Sequence, residues 1–235
     1  MGENALRLTD VQVRFKSGTE GHVPITALEI SDWSLAAGSC IGISGPSGAG
    51  KSTLLNVVSG LLLPTQGQVC WHGQDLTALS EQQRDRWRRR NVGFIFQNFH
   101  LIPELSAFEN VLLPHWFNHW RCPLKRKQQA KALLHQVGIE QVHQLAATLS
   151  RGQQQRVAAA RAMLHDPPVI LADEPTASLD PASAIAVMDL LLNTVRANRT
   201  LVIVSHDRQL LERLDHVYRL QVGKLTASQT IDSIS

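Results

Sequence analysis

The stretch that decides the fold reads Cys40-Ile41-Gly42-Ile43-Ser44-Gly45-Pro46-Ser47-Gly48-Ala49-Gly50-Lys51-Ser52-Thr53. Its first five residues form a short apolar run of strand type. The next eight fit G-x-x-x-x-G-K-S/T, and helix formers with apolar residues follow to Leu63. Glycines let a backbone curl so that successive N–H groups point inward and form a nest for phosphate oxygens. A helix beginning near Lys51 adds the positive end of its dipole to the same place. The Lys51 ammonium then reaches the outer phosphates, and the Ser52 hydroxyl is placed to ligate Mg²⁺. A glycine-rich turn with a chance lysine would not need a strand before it and a helix after it.

Outward from this loop, the chain alternates short apolar strands with helices, the pattern of a doubly wound parallel sheet. Val169 to Ala172 and Leu201 to Val204 read as buried strands, Ser150 to His165 as a helix, and Asp180-Pro181 as the start of another. That last helix is expected to bury Ile185, Met188, Leu192 and Val195 on one face. Before the loop, Leu6, Leu8, Val11, Val13 and Phe15 nearly alternate with polar residues, and Ser17 to Gly21 supplies a turn, so the N-terminal part reads as strands. Ser80 and Gln83 have capping-box spacing ahead of a basic helix. Residues 98–150 carry few strand signals, and Lys127 to Val137 has helical periodicity. The tail after Lys224 reads as peripheral.

The strand Val169-Ile170-Leu171-Ala172 ends in Asp173-Glu174. Alternation along a strand would aim the two carboxylates in different directions. Asp173 is then available to the Mg²⁺ shell and Glu174 to an attacking water, as a general base. On its own, such a strand end is a pair of solvated acids.

A phosphate loop plus an acidic strand also fits kinases and GTPases. Leu149-Ser150-Arg151-Gly152-Gln153 narrows the choice: it resembles the L-S-G-G-Q signature of ATP-binding cassette (ABC) ATPases, with Arg151 in place of the first glycine. Ser150 and Gln153 also have capping-box spacing, so the motif opens its own helix. Other elements match the family in order. Gln97 resembles the Q-loop glutamine, Ser178-Leu179-Asp180 the D-loop, and His206 the switch histidine; Phe15 sits where the family stacks an aromatic on adenine, although alone it would read as a core residue.

The resemblance spans Phe15 to His206 and implies an ATPase that uses ATP and Mg²⁺. Its fold would be an α/β P-loop NTPase of RecA-like type, with an N-terminal antiparallel subdomain and an inserted helical one. One ABC ATPase domain is expected over residues 1–235, with the β subdomain and core in 1–97 and 151–235 and the helical subdomain in 98–150. The implied assignments follow the motifs. Gly45, Pro46, Ser47, Gly48, Ala49, Gly50, Lys51, Ser52 and Thr53 hold the nucleotide with Phe15; Ser52, Gln97 and Asp173 hold the metal; Lys51, Gln97, Glu174 and His206 serve catalysis. Ser150, Arg151, Gly152 and Gln153 would act on the nucleotide of a second copy across a head-to-tail homodimer, with Asp180 crossing the interface. Arg151 is the one departure: an arginine fits poorly where backbone angles are reserved for glycine, yet its charge could instead assist the anion site, and a competent site is expected.

The text around Gln97, from Val92 to Pro103 and on to Pro114, is similar to the bacterial branch of lipoprotein-releasing and macrolide-exporter ATPases. That branch implies an integral membrane permease-type partner and a cytoplasmic site on the inner face of the cell membrane. Trp116, Phe117 and Trp120 either line a groove for such a partner or pack locally.

The bulk composition adds exclusions. With 235 residues and 43% hydrophobic content the chain can bury a core, and a formal charge of +3 gives no case for nucleic acid. The arginines at 84, 86, 88, 89 and 90 read as a solvated helix face, near anionic headgroups at most. No stretch approaches the roughly 18 apolar residues of a membrane span. Met1-Gly2-Glu3-Asn4 lacks a secretory pattern. Cys40, Cys70 and Cys122 have no metal or redox spacing, which suits a reducing compartment. Two rivals stay open. A soluble ABC protein acting on ribosomes or DNA would carry a second cassette or long insertions, and a regulatory module would bind ATP without turnover.

Overall fold

The computed structural model describes residues 4–15, 24–117, 121–177, 179–195 and 199–227. In chain order the elements are β1 (Asn4–Phe15), β2 (Ile25–Ala36), β3 (Cys40–Ser44), α1 (Lys51–Val58), β4 (Gln66–Trp71), β5 (Gln74–Asp75), α2 (Glu81–Asn91), β6 (Val92–Ile95), α3 (Ala107–Trp116), α4 (Leu124–Gln136), α5 (Arg151–Met163), β7 (Val169–Asp173), α6 (Pro181–Val195), β8 (Thr200–Val204), α7 (Arg208–Leu211), β9 (His216–Gln221) and β10 (Lys224–Ala227). The expected turn at residues 17–21, Ser178 of the D-loop and Trp120 lie outside the described residues.

Two sheets form. One is antiparallel, in the order β2-β1-β4-β5; the other has six strands in the order β10-β9-β3-β8-β7-β6. Within the second, β3, β6, β7, β8 and β9 run parallel, and β10 turns back along β9. This is the expected class: a mostly parallel core joined to an N-terminal antiparallel sheet, with helices inserted between β6 and β7.

The central strands explain why their sequences read as unbroken apolar runs. Alternate residues of one strand enter two different cores. Val169 and Leu171, with Ile41, Ile43, Val202 and Val204, pack toward α1 and the antiparallel sheet. Ile170 and Ala172, with Leu201 and Ile203, pack toward the helices α3, α4, α5 and α6. Helix α1 lies between the sheets with Leu54, Leu55, Val57 and Val58 buried. Trp71 fixes it there, its indole N–H donating to the Val58 carbonyl at 2.7 Å.

Several expected boundaries move. Helix α1 ends at Val58 rather than near Leu63, because Gly60 is left-handed (φ 68°) and turns the chain away. The alternation of β1 skips at Asp10, another left-handed residue (φ 50°), where the pairing with β4 shifts register. In α6 the buried face is Val187, Met188 and Leu191; of the expected stripe Met188 is buried and Leu192 packs half-buried against the core, Ile185 is exposed, and the Val195 side chain lies outside the described residues. The tail begins with a strand, since β10 pairs with β9.

In the 98–150 stretch, Ser106 and Glu109 form a capping box that opens α3, which the sequence reading did not mark. Fully buried Asn110 organises the preceding loop. Its amide accepts from the Ile102 N–H and donates to the Ile102, Leu105 and Ser106 carbonyls. Among the described residues no helix is long and apolar enough to cross a membrane.

Candidate nucleotide site

Strand β3 delivers the chain into the phosphate loop from the middle of the parallel sheet. Gly45 has φ 151°, and a Cβ there would lie 2.1 Å from the Leu220 carbonyl oxygen. Only glycine fits so close to another backbone. The loop is braced from outside as well: the Gly223 N–H donates to the Ala49 carbonyl at 3.2 Å, and the Gly223 carbonyl accepts from the Glu29 N–H at 2.8 Å. The β9–β10 turn therefore ties the loop to the antiparallel sheet. Left-handed Gly50 caps α1. The Lys51 ammonium folds back over the loop and donates to the Gly45 carbonyl at 2.7 Å and the Pro46 carbonyl at 3.0 Å.

Gly45, Pro46, Ser47, Gly48, Gly50, Lys51, Ser52 and Thr53 line a cavity of about 700 Å³ together with Phe15, Ala27, Gln97, Asp173, Glu174 and His206, whereas Ala49 is buried behind the loop. Phe15 is partly exposed at its wall rather than built into the core. The phosphate loop, Phe15, Gln97, the acidic strand end and His206 thus meet around one space, joined by Ala27, which no motif marked and which only the fold brings near.

The metal-side donors also converge. Asp173 accepts a hydrogen bond from Ser52, and its carboxyl is held above the ordinary carboxylate range, chiefly by burial and then by the neighbouring Glu174, against the pull of Ser52 and Lys51. The Ser52 hydroxyl, the Asp173 carboxylate and the Gln97 amide all line the cavity and are oxygen donors of the kind that suits a hard divalent cation. Among the described residues no group of three or more His, Cys, Asp and Glu forms a ligand cage. A cation here would therefore complete its shell with phosphate oxygens and water, as Mg²⁺ sites in phosphate-transferring proteins do.

Glu174 diverges from Asp173, but not by strand alternation. The strand stops at Asp173 and Glu174 is left-handed (φ 46°), with its N–H donated to the Val204 carbonyl at 2.8 Å. This bond crosses to the end of β8 and swings the side chain toward the next segment. There His206 Nδ1 lies 2.8 Å from Glu174 Oε2, and the His206 N–H donates to the same oxygen at 3.3 Å. Such backbone strain is held in place only by its surroundings. Beside it, Thr176 donates to Asp207, whose carboxylate also caps α7.

The signature stretch lies elsewhere. Ser150 is the N-cap of α5; it accepts from the Gln153 N–H, and the Gln153 side chain accepts from the Ser150 N–H at 2.9 Å. Arg151 has ordinary helical backbone and is absent from the left-handed residues, so the substitution for glycine brings no strain. Gly152 is the position where size matters. A Cβ there would sit 2.4 Å from Ser183 Oγ and 2.7 Å from Ser183 Cβ, so glycine lets α5 and α6 touch. Asp180 caps the start of α6 through the Ser183 N–H at 3.0 Å, and the Ser183 bonds hold its carboxyl below the usual range. Among the described residues, none of Ser150, Arg151, Gly152, Gln153 and Asp180 lines the nucleotide cavity.

A second concavity, of about 400 Å³, opens between β6 and the inserted helices. Phe94, Phe96, Ile102, Leu113 and Phe117 give it an apolar floor, with Arg89, Arg161 and two histidines at its edges. Phe94 and Phe96 stack with centroids 4.2 Å apart. Phe117 lines this groove, as one reading of the aromatic insertion required, whereas Trp116 does not.

The basic run of α2 is only partly a free face. Arg84 donates to the Leu79 carbonyl, Arg88 to the Gly60 carbonyl, and Arg88 and Arg89 both pair with Asp85.

Comparison with known proteins agrees with the geometry. The ABC transporter family profile matches residues 28–177. The chain is 43% identical over 212 residues to the lipoprotein-releasing system ATP-binding protein LolD of Xanthomonas campestris pv. campestris, covering 89% of this chain and 88% of that one. It is 43% identical over 230 residues to the LolD of Ruegeria pomeroyi, covering 97% and 99%. A solved ATP-binding cassette, a post-hydrolysis dimer bound to ADP and Pi, superposes with a TM-score of 0.85 at 35% identity, covering 95% of this chain and 97% of that one. The chain belongs to the ABC transporter family and is one of its ATP-binding, ATP-hydrolysing subunits.

Proposed function

We propose that the chain powers a lipoprotein-releasing type of membrane complex, working as a head-to-tail pair in which each nucleotide is shared between two copies. The observation that carries this reading is the split described above. The phosphate loop, Asp173, Glu174 and His206 complete one half of a site, while the Ser150 helix N-terminus, an anion-binding feature, stands away from it. A second copy can supply the missing half.

In this reading the loop amides and Lys51 hold the β- and γ-phosphates, Phe15 stacks on the base, and Ser52, Gln97 and Asp173 hold Mg²⁺. The metal, when bound, neutralises charge that develops on the phosphate oxygens. Lys51 gives up its loop carbonyls to reach the phosphates. His206 leaves Glu174 for the terminal phosphate, and the freed carboxylate orients and polarises the attacking water. Ser150 and the first amides of α5 close on the same phosphate from the opposite copy, with Asp180 at the interface. Hydrolysis removes the bridging group, the pair opens, and the two states drive the partner.

The partner of this reading is an integral membrane permease-type subunit, which places the chain on the cytoplasmic face of the membrane. The apolar groove beside Gln97 is where a short helix of that subunit would seat, with Phe94, Phe96 and Phe117 as the aromatic wall. Residues 98–150 and α5 form one side of this groove, and the end of α2 with β6 and Phe96 forms the other. The lipoprotein class of cargo comes from the LolD relatives.

Glu174→Gln tests the cycle. The variant should bind ATP, lose turnover by about 10²–10⁴-fold, the usual worth of a general base, and accumulate as an ATP-dependent dimer on size exclusion. A monomer that hydrolyses at the parent rate would defeat the reading.

A further inference from the structure

Phe99 and His100 are two successive non-glycine residues with left-handed backbone, φ 52° and 48°. Such a turn persists only where its surroundings force it. Helix α5 supplies the force twice. Near its C-terminal end, the half-buried Arg161 guanidinium donates to both turn carbonyls, Phe99 through Nη2 and His100 through Nη1. Burial lowers this guanidinium to about 10, and the two carbonyl bonds offset part of the cost of keeping its charge out of water. At the N-terminal end, Arg151 lies over the buried Phe99 ring, its guanidinium carbon 5.8 Å from the centroid. The two arginines stand ten positions apart on one helix, about 15 Å along its axis.

The gripped turn joins three places. Gln97, two residues before it, lines the nucleotide cavity. Phe96 and His100 face the apolar groove, as does Arg161 itself, and Phe96 meets the His100 ring edge-on at 4.9 Å. Arg151 directly follows Ser150, the cap of the signature helix. The turn is thus in contact with α5 through both ends of that helix.

We propose that Arg151, the signature residue that departs from glycine, is a positioning residue: with Arg161 it fastens the Phe99–His100 turn to α5, so that a segment seated in the groove moves Ser150 toward or away from the neighbouring nucleotide. This rests on the shared-site reading above. Nothing in the helix backbone requires glycine at 151, so the position is free to carry a side chain that reaches the turn. Arginine suits the task because its planar guanidinium covers an aromatic face while remaining charged.

The test uses the full chain carrying Glu174→Gln, titrated with Mg²⁺-ATP, with dimer followed by size exclusion and amide exchange followed at residues 97–103, 150–154 and the phosphate loop. In the parent, segments 97–103 and 150–154 should gain protection together as dimer forms. Arg151→Gln should raise the ATP concentration for half-dimerisation about two- to fivefold, the span of an exposed cation–π contact. It should also uncouple segment 97–103 from segment 150–154, with the phosphate loop as internal reference. Arg151→Lys should restore part of the coupling, Phe99→Leu should reproduce the loss, and Arg151→Gln with Phe99→Leu together should lose no more than either alone. Additive losses, or coupled protection retained without the arginine, would overturn the proposal. A parent that never dimerises would overturn the shared site itself, a different and separately visible failure.

Discussion

The phosphate loop and the signature stretch both lead into helix N-termini, yet they are built in opposite ways. The loop is made of backbone packed against backbone: Gly45 under the Leu220 carbonyl, and Ala49 bonded to Gly223 of the β9–β10 turn. It is finished within one chain and has little room to change. The signature helix begins with a side-chain cap, exposes Ser150 and Arg151, and is tied sideways to α6 through Gly152 and to the Phe99 turn through Arg151. A preformed site can bind alone. A site held by adjustable side-chain ties can be repositioned, which is what a switch between two states requires.

The difference predicts different assays for equivalent damage. Lys51→Ala should lower turnover by about 10²–10³-fold, the scale for removing a preorganised charge donor, and should weaken ATP binding by the monomer. Ser150→Ala should leave monomer binding of ATP nearly intact, measured by calorimetry, while abolishing the ATP-dependent dimer. Equal loss of monomer binding in both variants would erase the distinction.

Packing gives a smaller effect. Gly152→Val should destabilise the fold by about 1–3 kcal/mol, the usual cost of overpacking, read as a lower urea midpoint. Ser183→Gly in the same chain should recover part of it, because Ser183 is the residue in the way.

The smallest effect is one of pH. Asp173 has its folded pKa raised above the ordinary 3.8, mainly by burial. The folded state then binds the proton more tightly than the unfolded one, so this group's stabilising contribution is full below about pH 3.8 and is lost as pH rises through the folded value. Asp173→Asn should therefore gain stability relative to the parent as pH rises from 4 to 7, by urea unfolding without nucleotide, although its Mg²⁺-dependent turnover falls. Parallel curves for the two proteins would contradict the assigned cause.

Much of this was legible in the sequence because it is written in short spacings. The phosphate loop, the strand ending at Asp173 and the capping boxes at Ser80 and Ser150 each need only a few consecutive residues. What escaped depends on partners distant in the chain. Ala27 enters the nucleotide cavity from the antiparallel sheet, and the β9–β10 turn braces the loop from more than 170 positions away. Glu174 turns by a left-handed residue bonded to β8, which strand alternation cannot foresee. Arg161 was not singled out, because its bonds to the Phe99 and His100 carbonyls join positions some sixty residues apart. The doubt over Arg151 assumed a glycine backbone that the first turn of a helix does not need.

The most direct measurement is a structure of the Glu174→Gln chain with Mg²⁺-ATP bound. The account places Ser150 Oγ within a hydrogen bond, about 3 Å, of the terminal phosphate on the neighbouring copy, in both halves of the pair. A nucleotide-loaded structure in which that hydroxyl faces solvent, or only its own chain, would contradict it.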